Sequence, residues 1–336
     1  MQAVVLVGGF GTRLRPLTDS IPKPMLPVGH VPMIERLVRR LARGGVTEVV
    51  LALGFKPEPF IEAFPDDRCG DVTLRYAVEP EPLDTAGAIR FAADAVGIGD
   101  TFVVANGDVI TDLDVGRLVD THRSLGAEAT LHLIAVDDPS AFGVVDIDDS
   151  GTIRAFVEKP PPGTEPGNLI NAGTYVFEPS VLDRITLGQP SSIERETFPA
   201  IADSAGLYGH PTDDYWIDAG RPDLYRAANL DLLGPTRRSE RCNPVAESAV
   251  VDPSAVVVNS IVGDRAAVGR DARIVDSVLL PGAAVGTGSS VSASLVMGVV
   301  GDGATVCDTL IGATGRVASG ALLEHAALPD PAVSST

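Results

Sequence analysis

The sequence predicts an α/β domain of Rossmann-like construction, built on a mostly parallel sheet, followed by a parallel β-helix of hexapeptide repeats. Three observations carry this. Short apolar runs alternate with segments of helical periodicity through residues 1–232. The first of those runs ends abruptly in Gly8-Gly9-Phe10-Gly11. From residue 248 onward, aliphatic residues recur every five or six positions among Gly, Asp, Ser and Ala. At 336 residues the chain exceeds the usual size of one domain. The expected organisation is a first domain at 1–232, a linker at 233–247 that carries little apolar periodicity, repeats at 248–325 and a frayed tail at 326–336.

In chain order, Ala3 to Val7 is a buried strand, and Pro32 to Ala42 is a helix with Met33, Ile34, Leu37, Val38 and Leu41 on one face. Gly44-Gly45 ends it, and Thr47 to Leu53 completes a βαβ unit. The alternation continues with a strand at Val72 to Val78, a helix at Thr85 to Val96, a strand at Thr101 to Ala105, a helix at Asp114 to Leu125 and a strand at Ala129 to Val136. Such alternation implies helices on both faces of the sheet, with the ligand at the carboxyl ends of the strands. Gly143 to Ile147 and Ile153 to Glu158 then form a hairpin, Asn171 to Phe177 a strand and Ser192 to Asp203 a helix. In the repeats, Val251, Val256, Val262, Val268, Ile274, Leu280, Val285, Val291, Val306, Ile311 and Val317 mark the inward positions, and the spacing slips around Leu295 to Val300. Eighteen residues per triangular coil would give about four coils.

The glycines after the first strand suit a phosphate loop, because a backbone without Cβ atoms brings successive N–H groups against an anion. Arg13, Arg15 and Lys23 supply the positive charge, and prolines flank Lys23. The dinucleotide fingerprint is excluded, since Leu14 stands where its third glycine belongs, and so is the P-loop, since G-K-[ST] is absent. Asp108 directly follows a buried strand, at the end where ligand belongs. A carboxylate there either holds a cation against phosphate oxygens or caps the turn that follows.

Gly8, Gly9, Gly11, Thr12, Arg13, Leu14, Pro16, Leu17, Thr18, Pro22, Lys23 and Pro24 together resemble the signature of the sugar-1-phosphate nucleotidyltransferases, G-G-x-G-T-R-L-x-P-L-T followed by P-K-P. The resemblance covers the chain to about residue 230 as motifs in order. It implies Mg²⁺-dependent transfer of a nucleotidyl group from an NTP to a sugar 1-phosphate. It further implies that Arg13 and Lys23 act on the phosphates, that Gly8, Gly9, Gly11, Thr12 and Gly107 contact the nucleotide, and that Thr85 lies in the segment that recognises its base. Asp108, with Asp218 of Trp216-Ile217-Asp218-Ala219-Gly220, would ligate the metal, and Lys159 would hold the sugar phosphate. Gly143, Glu158, Asn171 and Gly173 would line the sugar pocket. Asp84 departs from the family's L-G-T-A-G, where a glycine is usual, and either narrows the base pocket or caps the next helix.

Glu79 bears on the nucleotide. A carboxylate accepts two adjacent donors, which guanine presents and thymine or uracil does not, so Glu79 favours GTP if it faces the base. The segment Ser192-Ile193-Glu194-Arg195-Glu196-Thr197-Phe198-Pro199 resembles that of mannose-1-phosphate guanylyltransferases, which also carry a left-handed β-helix. GTP with mannose 1-phosphate is therefore the leading pair. Glucose 1-phosphate with dTTP or UTP, and heptose 1-phosphate with GTP, are the alternatives. The attacking sugar phosphate is already an anion, so no general base is required, and none of His30, His122, His132, His210 and His325 falls in these motifs.

A net charge of −19 disfavours nucleic acid and anionic membrane as partners. Three distant cysteines suggest neither a zinc site nor a disulfide framework, and no run approaches membrane-spanning length, so a cytoplasmic protein is expected. The repeats are expected to make a homo-oligomer. Two other classes compete. A catalytically silent regulatory paralogue would have lost Arg13, Lys23 or an aspartate, all of which are present, and an acyltransferase would need a histidine in the coil walls, where only His325 is available.

Overall fold

The computed structural model describes residues 1–9, 11–54, 57–237 and 240–329. Packing divides the chain into two units, one of Met1–Gly9 with Ile34–Trp216 and one of Phe10–Met33 with Ile217–Thr336.

In the first unit, β1 (Gln2–Leu6), β2 (Glu48–Leu53), β3 (Val72–Val78) and β4 (Phe102–Asn106) form a parallel array in the order β4-β1-β2-β3. The residues of β1, β2 and β4 are mostly aliphatic and buried on both faces, which suits strands covered by helices on each side, whereas β3, toward the sheet's edge, alternates buried with exposed positions. Helices α1 (Met33–Arg43), α2 (Asp84–Val96) and α3 (Val115–Leu125) fall where the periodicity places them. Asp114 caps α3 by accepting the Arg117 N–H at 3.1 Å. Gly97 and Gly126 end α2 and α3 in left-handed backbone.

Beyond β4 the sheet is mixed rather than parallel. It adds β5 (Ala129–Ala135), the hairpin β6 (Gly143–Ile147) and β7 (Ile153–Glu158), β8 (Leu169–Phe177) and β9 (Leu207–Thr212). β8 runs antiparallel to both β4 and β5, and Tyr175 pairs with Val104 on one side and Leu131 on the other. The helix expected at 192–203 is two pieces, a π-helical turn at Ile193–Thr197 and α4 (Phe198–Asp203), with Pro199 in the first turn of α4.

Two histidines lie in this core and are spent on structure. His122 bridges Thr130 Oγ1 at 2.9 Å and Glu178 Oε1 at 3.1 Å, and His132 Nε2 meets Thr212 Oγ1 at 2.9 Å. Burial, then the neighbouring His210, pushes His132 down to about 3. The unfolded chain therefore takes up a proton near pH 6.5 that the folded chain refuses until pH falls to about 3, and stability declines as pH falls through that window. Denaturant midpoints measured from pH 7 to pH 4 should fall, and His132→Asn should flatten the slope by about 1.4 kcal/mol per pH unit at most.

The second unit contains α5 (Pro222–Leu230) and the repeats. Three parallel sheets of five strands each form the three walls of a left-handed β-helix. The coil is shorter than the expected eighteen residues. Ala267 pairs with Ala284 seventeen residues on, Ala284 with Val299 only fifteen on, and Val299 with Arg316 seventeen on. The slip around Leu295 to Val300 is thus one coil that drops two residues at a corner. Val262, Val268, Ile274, Val285, Val291, Val306, Ile311 and Val317 point inward as expected, whereas Val256 is 44% exposed and Val257 packs in its place. Ala327–Leu328 still pair with Leu310–Ile311, so the helix runs beyond residue 325; tail residues 330–336 lie outside the described residues. In the expected linker, where residues 238 and 239 also lie outside the description, the Cys242 N–H donates to Leu232 O and the Ala246 N–H to Val262 O.

One buried hydroxyl per coil stitches the corners together. Ser260 Oγ, Ser277 Oγ and Ser294 Oγ each donate to the carbonyl two residues back, and they accept the N–H of Ser277, Ser294 and Thr309 respectively from the next coil, at 3.0 to 3.1 Å. Removing one link leaves a buried N–H unmatched. Ser277→Ala should therefore lower stability by about 1–3 kcal/mol in urea denaturation, with initial rates at low temperature unchanged.

Candidate active site

In the second unit the signature loop is a sequence of short turns. Gly11 takes φ 62° and starts the 3₁₀ turn Thr12–Leu14; its carbonyl accepts the Leu14 N–H and the Thr18 hydroxyl, each at 2.9 Å. A β-carbon on Gly11 would lie 3.0 Å from Thr18 Cγ2 and 3.2 Å from Lys23 Cβ, so this glycine is demanded by both backbone and space. Thr12 and Arg13 are exposed. Lys23, between Pro22 and Pro24, is only 8% exposed, and its ammonium lies 3.9 Å from Asp218 Oδ1. Asp218 Oδ1 accepts the Gly220 N–H at 2.9 Å. A β-carbon on Gly220 would sit 2.7 Å from Asp218 Oδ1, 2.8 Å from Lys23 Nζ and 3.4 Å from Arg13 Nη2. Four groups from two motifs thus converge within one unit: Arg13 and Lys23 of the signature, and Asp218 and the bare backbone of Gly220 from the later W-x-D-x-G.

The loop is held from behind. The Gly29 N–H donates to Asn229 Oδ1 of α5 at 2.8 Å, and the Tyr225 hydroxyl donates to Pro27 O. On the β-helix, Gly312 has no room for a side chain because Pro16 O would be 2.8 Å from its β-carbon.

In the first unit, the remaining residues gather at strand ends. Gly8 and Gly9 follow β1 and are exposed. Gly107 follows β4, and its N–H donates to Leu6 O at 2.9 Å, which fixes the turn carrying Asp108. Glu79 follows β3 and is 9% exposed. One of its oxygens accepts the Leu83 N–H at 2.9 Å, while the other faces Gly8, 3.7 Å from where a β-carbon there would be. Burial pushes its carboxyl above the usual carboxylate range, and the Leu83 N–H partly offsets this. Asp84 adopts φ 56°, the left-handed conformation for which a glycine is otherwise suited, and its Oδ1 accepts the N–H of the next residue, Thr85, at 2.8 Å. It does not cap α2, whose N-cap position is Leu83, without a side-chain cap bond. The Thr85 hydroxyl is committed to protein, donating to Glu194 Oε2 at 2.7 Å and accepting the Ile193 N–H at 2.9 Å.

Gly143 and Glu158 face each other across the β6–β7 hairpin. A β-carbon on Gly143 would strike the Phe156 ring at 2.4 Å and lie 3.0 Å from Glu158 Oε2, so Glu158 folds over a position kept bare. Lys159, at φ 49° and exposed, places its ammonium 2.9 Å from Glu158 Oε1. In β8 the register breaks between Asn171 and Tyr175, and the bulge turns Asn171 out. Asn171 donates to the Tyr175 hydroxyl at 2.9 Å and accepts the Gly173 N–H at 3.0 Å. Gly173, at φ 76°, lies against Asn106, whose Nδ2 would be 2.8 Å from a β-carbon there. Trp216 Nε1 donates to Ala172 O at 2.9 Å and ties down the same bulge.

A family profile described as Nucleotidyl transferase matches residues 2–234. The chain belongs to that family. It is 42% identical over 280 residues to the mannose-1-phosphate guanylyltransferase of Mycobacterium tuberculosis, an alignment covering 80% of this chain and 77% of that one. It is 39% identical over 275 residues to mannose-1-phosphate guanylyltransferase 1 of Arabidopsis thaliana, covering 81% and 75%. The crystal structure of HddC from Yersinia pseudotuberculosis superposes with a TM-score of 0.58 at 30% identity, covering 68% of this chain and 97% of that one.

Nucleotidyltransferases of this family generally use a divalent metal. Asp108 and Asp218 are hard oxygen donors of the kind such an ion takes alongside phosphate oxygens and water. Among the described residues no three His, Cys, Asp or Glu side chains form a metal cage of their own, and no helix is long and apolar enough to cross a membrane.

Sequence reasoning missed Gly220, Asn106 and Glu194. Gly220 was within reach, because it ends the W-x-D-x-G motif; the other two are revealed only by contacts distant in sequence. In this nucleotidyltransferase Gly220→Ala should leave the fold intact and push Lys23 and Asp218 apart. Turnover should fall about 100-fold, as a displacement near 1 Å at a reacting centre does, with an unchanged circular dichroism spectrum as the control.

Proposed function

We propose that the protein transfers the guanylyl group of GTP to mannose 1-phosphate, forming GDP-mannose and pyrophosphate, with Mg²⁺ as the metal. The observation that carries this reading is the identity of about 40% with mannose-1-phosphate guanylyltransferases over four fifths of the chain, with every signature residue retained. An oxygen of the sugar phosphate forms the new bond to the α-phosphorus, and the bond from that phosphorus to the bridging oxygen breaks, its electron pair leaving with pyrophosphate. Both partners are anions, so the protein's task is to position them and neutralise charge.

In this reading the backbone of Gly8, Gly9 and Gly11, with Thr12 and Arg13, receives the β- and γ-phosphates, and Gly107 carries the backbone close to the nucleotide. Lys23 has a more demanding role. Held almost out of water, its ammonium keeps its full field for phosphoryl oxygens. Asp108 and Asp218 are proposed as the metal's protein ligands, and the ion when bound neutralises charge on the nucleotide phosphates. Glu79 keeps one oxygen on Leu83 and turns the other to the purine's donors. Lys159 holds the sugar phosphate, while Glu158, Asn171, Gly143 and Gly173 shape the pocket for the sugar hydroxyls. The proposal includes a cytoplasmic location and self-association through the repeats, which the exposed Val250, Val256, Val258 and Leu322 support.

Pyrophosphate release with Mg²⁺, across GTP, dTTP, UTP, ATP and CTP against mannose, glucose and heptose 1-phosphates, tests the reading. GTP with mannose 1-phosphate should be the productive pair; dTTP with glucose 1-phosphate would refute it. With the productive pair, Lys23→Ala should cut turnover by about 1,000-fold or more, and normal turnover in that variant would remove Lys23 from the chemistry.

A further inference from the structure

The segment 189–198 joins two parts of the first unit that the proposed function keeps separate, the loop beside the nucleotide base and the wall behind the sugar. On the base side its attachment is dense. The Ser191 N–H donates to Leu83 O at 3.0 Å, and Ser191 O accepts the N–H groups of Ala86 and Gly87 at 2.9 and 3.3 Å. Leu83 is the residue whose own N–H is held by Glu79. Gly87 is bare because a β-carbon there would lie 2.6 Å from Gln189 O. Thr85 then closes the junction, with its hydroxyl between Glu194 Oε2 and the Ile193 N–H.

On the sugar side the same segment ends in Phe198. Its ring lies 5.1 Å from that of Tyr175 and 5.1 Å from that of Phe156. Tyr175 accepts the hydrogen bond of Asn171, and Phe156 is the ring packed over Gly143 beside Glu158. Phe198 is therefore the common backing of three expected sugar contacts. Between the two attachments lies the π-helical turn Ile193–Thr197, a geometry that costs hydrogen-bond quality and recurs at functional sites. It is stiffened by Ser192, which donates to Glu194 Oε2 at 3.0 Å and accepts the Arg195 N–H at 3.3 Å.

We propose that Thr85 and Glu194 form a buckle that transmits order from the base loop to the sugar pocket, making Thr85 a positioning residue for the sugar 1-phosphate rather than a direct nucleotide contact. The Thr85 hydroxyl is held between the Glu194 carboxylate and the Ile193 N–H, and this segment leads within one turn to the aromatic wall. A nucleotide that settles loop 79–85 settles the wall as well, and sugar phosphate then binds to a pocket already formed. The two substrates are coupled through this segment without touching it.

This inference rests on the proposed reaction, so wild-type turnover with GTP and mannose 1-phosphate is established first; a dark assay there sinks the reaction and not the buckle. In the active enzyme, Thr85→Val removes the hydroxyl, Thr85→Ser keeps it, and Glu194→Ala removes the partner. Thr85→Val should raise KM for the sugar 1-phosphate about tenfold at saturating nucleotide, as loss of one charge-assisted hydrogen bond does, while Kd for the nucleotide in the absence of sugar phosphate moves less than about twofold. Thr85→Ser should restore the wild-type values, and the Thr85→Val/Glu194→Ala double variant should be no worse than the poorer single one. A rise confined to Kd for the nucleotide would make Thr85 a nucleotide contact and overturn the proposal. So would additive losses in the double variant, or parallel falls in kcat and thermal stability that Thr85→Ser does not rescue.

Discussion

The burial of the Lys23 ammonium beside Asp218 is the constraint on which the second unit depends. A charged nitrogen that is almost out of water is tolerable only with an anion close by and a frame rigid enough to keep it there. The 3.9 Å separation from Asp218 supplies the first condition. The second is met in several places at once: prolines fix the backbone on both sides of the lysine, Gly11 omits the side chain that would push against Lys23 Cβ, and Gly220 omits the one that would fill the space at its Nζ. Behind them, Asn229 and Tyr225 of α5 hold the carbonyls and N–H groups of residues 27–29, and the coil at Gly312 admits Pro16 at close range. The repeats are thus more than an appendage, because part of their surface is the bed on which the signature loop lies.

The first unit solves a different problem by related means. The residues expected at its site lie at strand ends, where backbone leaves the sheet. Glycine recurs there because a neighbour occupies the place of its missing β-carbon: Glu158 and Phe156 over Gly143, Asn106 against Gly173, Gln189 over Gly87. Polar side chains are pinned by short local bonds, as Asn171 is between Tyr175 and Gly173. The buried histidines make structural hydrogen bonds to Thr130, Glu178 and Thr212.

The parallel core β1 to β4, its helices and the hairpin were legible in the sequence, because those segments take their structure from their own periodicity, caps and glycines. The mixed half of the sheet was not, since a run such as Leu169–Phe177 looks the same whether its neighbours run parallel or antiparallel. The continuous helix expected at 192–203 failed because Pro199 and the Thr85 junction hold the first five residues in a wider turn. Valine spacing revealed the β-helix, but the phase at Val256 and Val257 and the two-residue shortening of one coil are settled by which neighbour each side chain stacks upon.

By itself, then, the sequence determined the family and the two architectures, because a dozen signature positions in fixed order, eight of them glycine, proline, arginine or lysine, and a regular aliphatic repeat have few other physical uses. Only the tertiary structure decided what those residues do for one another. It placed Lys23 almost out of water, spent one oxygen of Glu79 on Leu83, turned the Asp84 carboxylate onto the Thr85 N–H and gave the Thr85 hydroxyl to Glu194. The physical reason is that burial and hydrogen bonding depend on partners far away in sequence, as Gly312 is from Pro16, and no local pattern of residue types encodes which partner arrives.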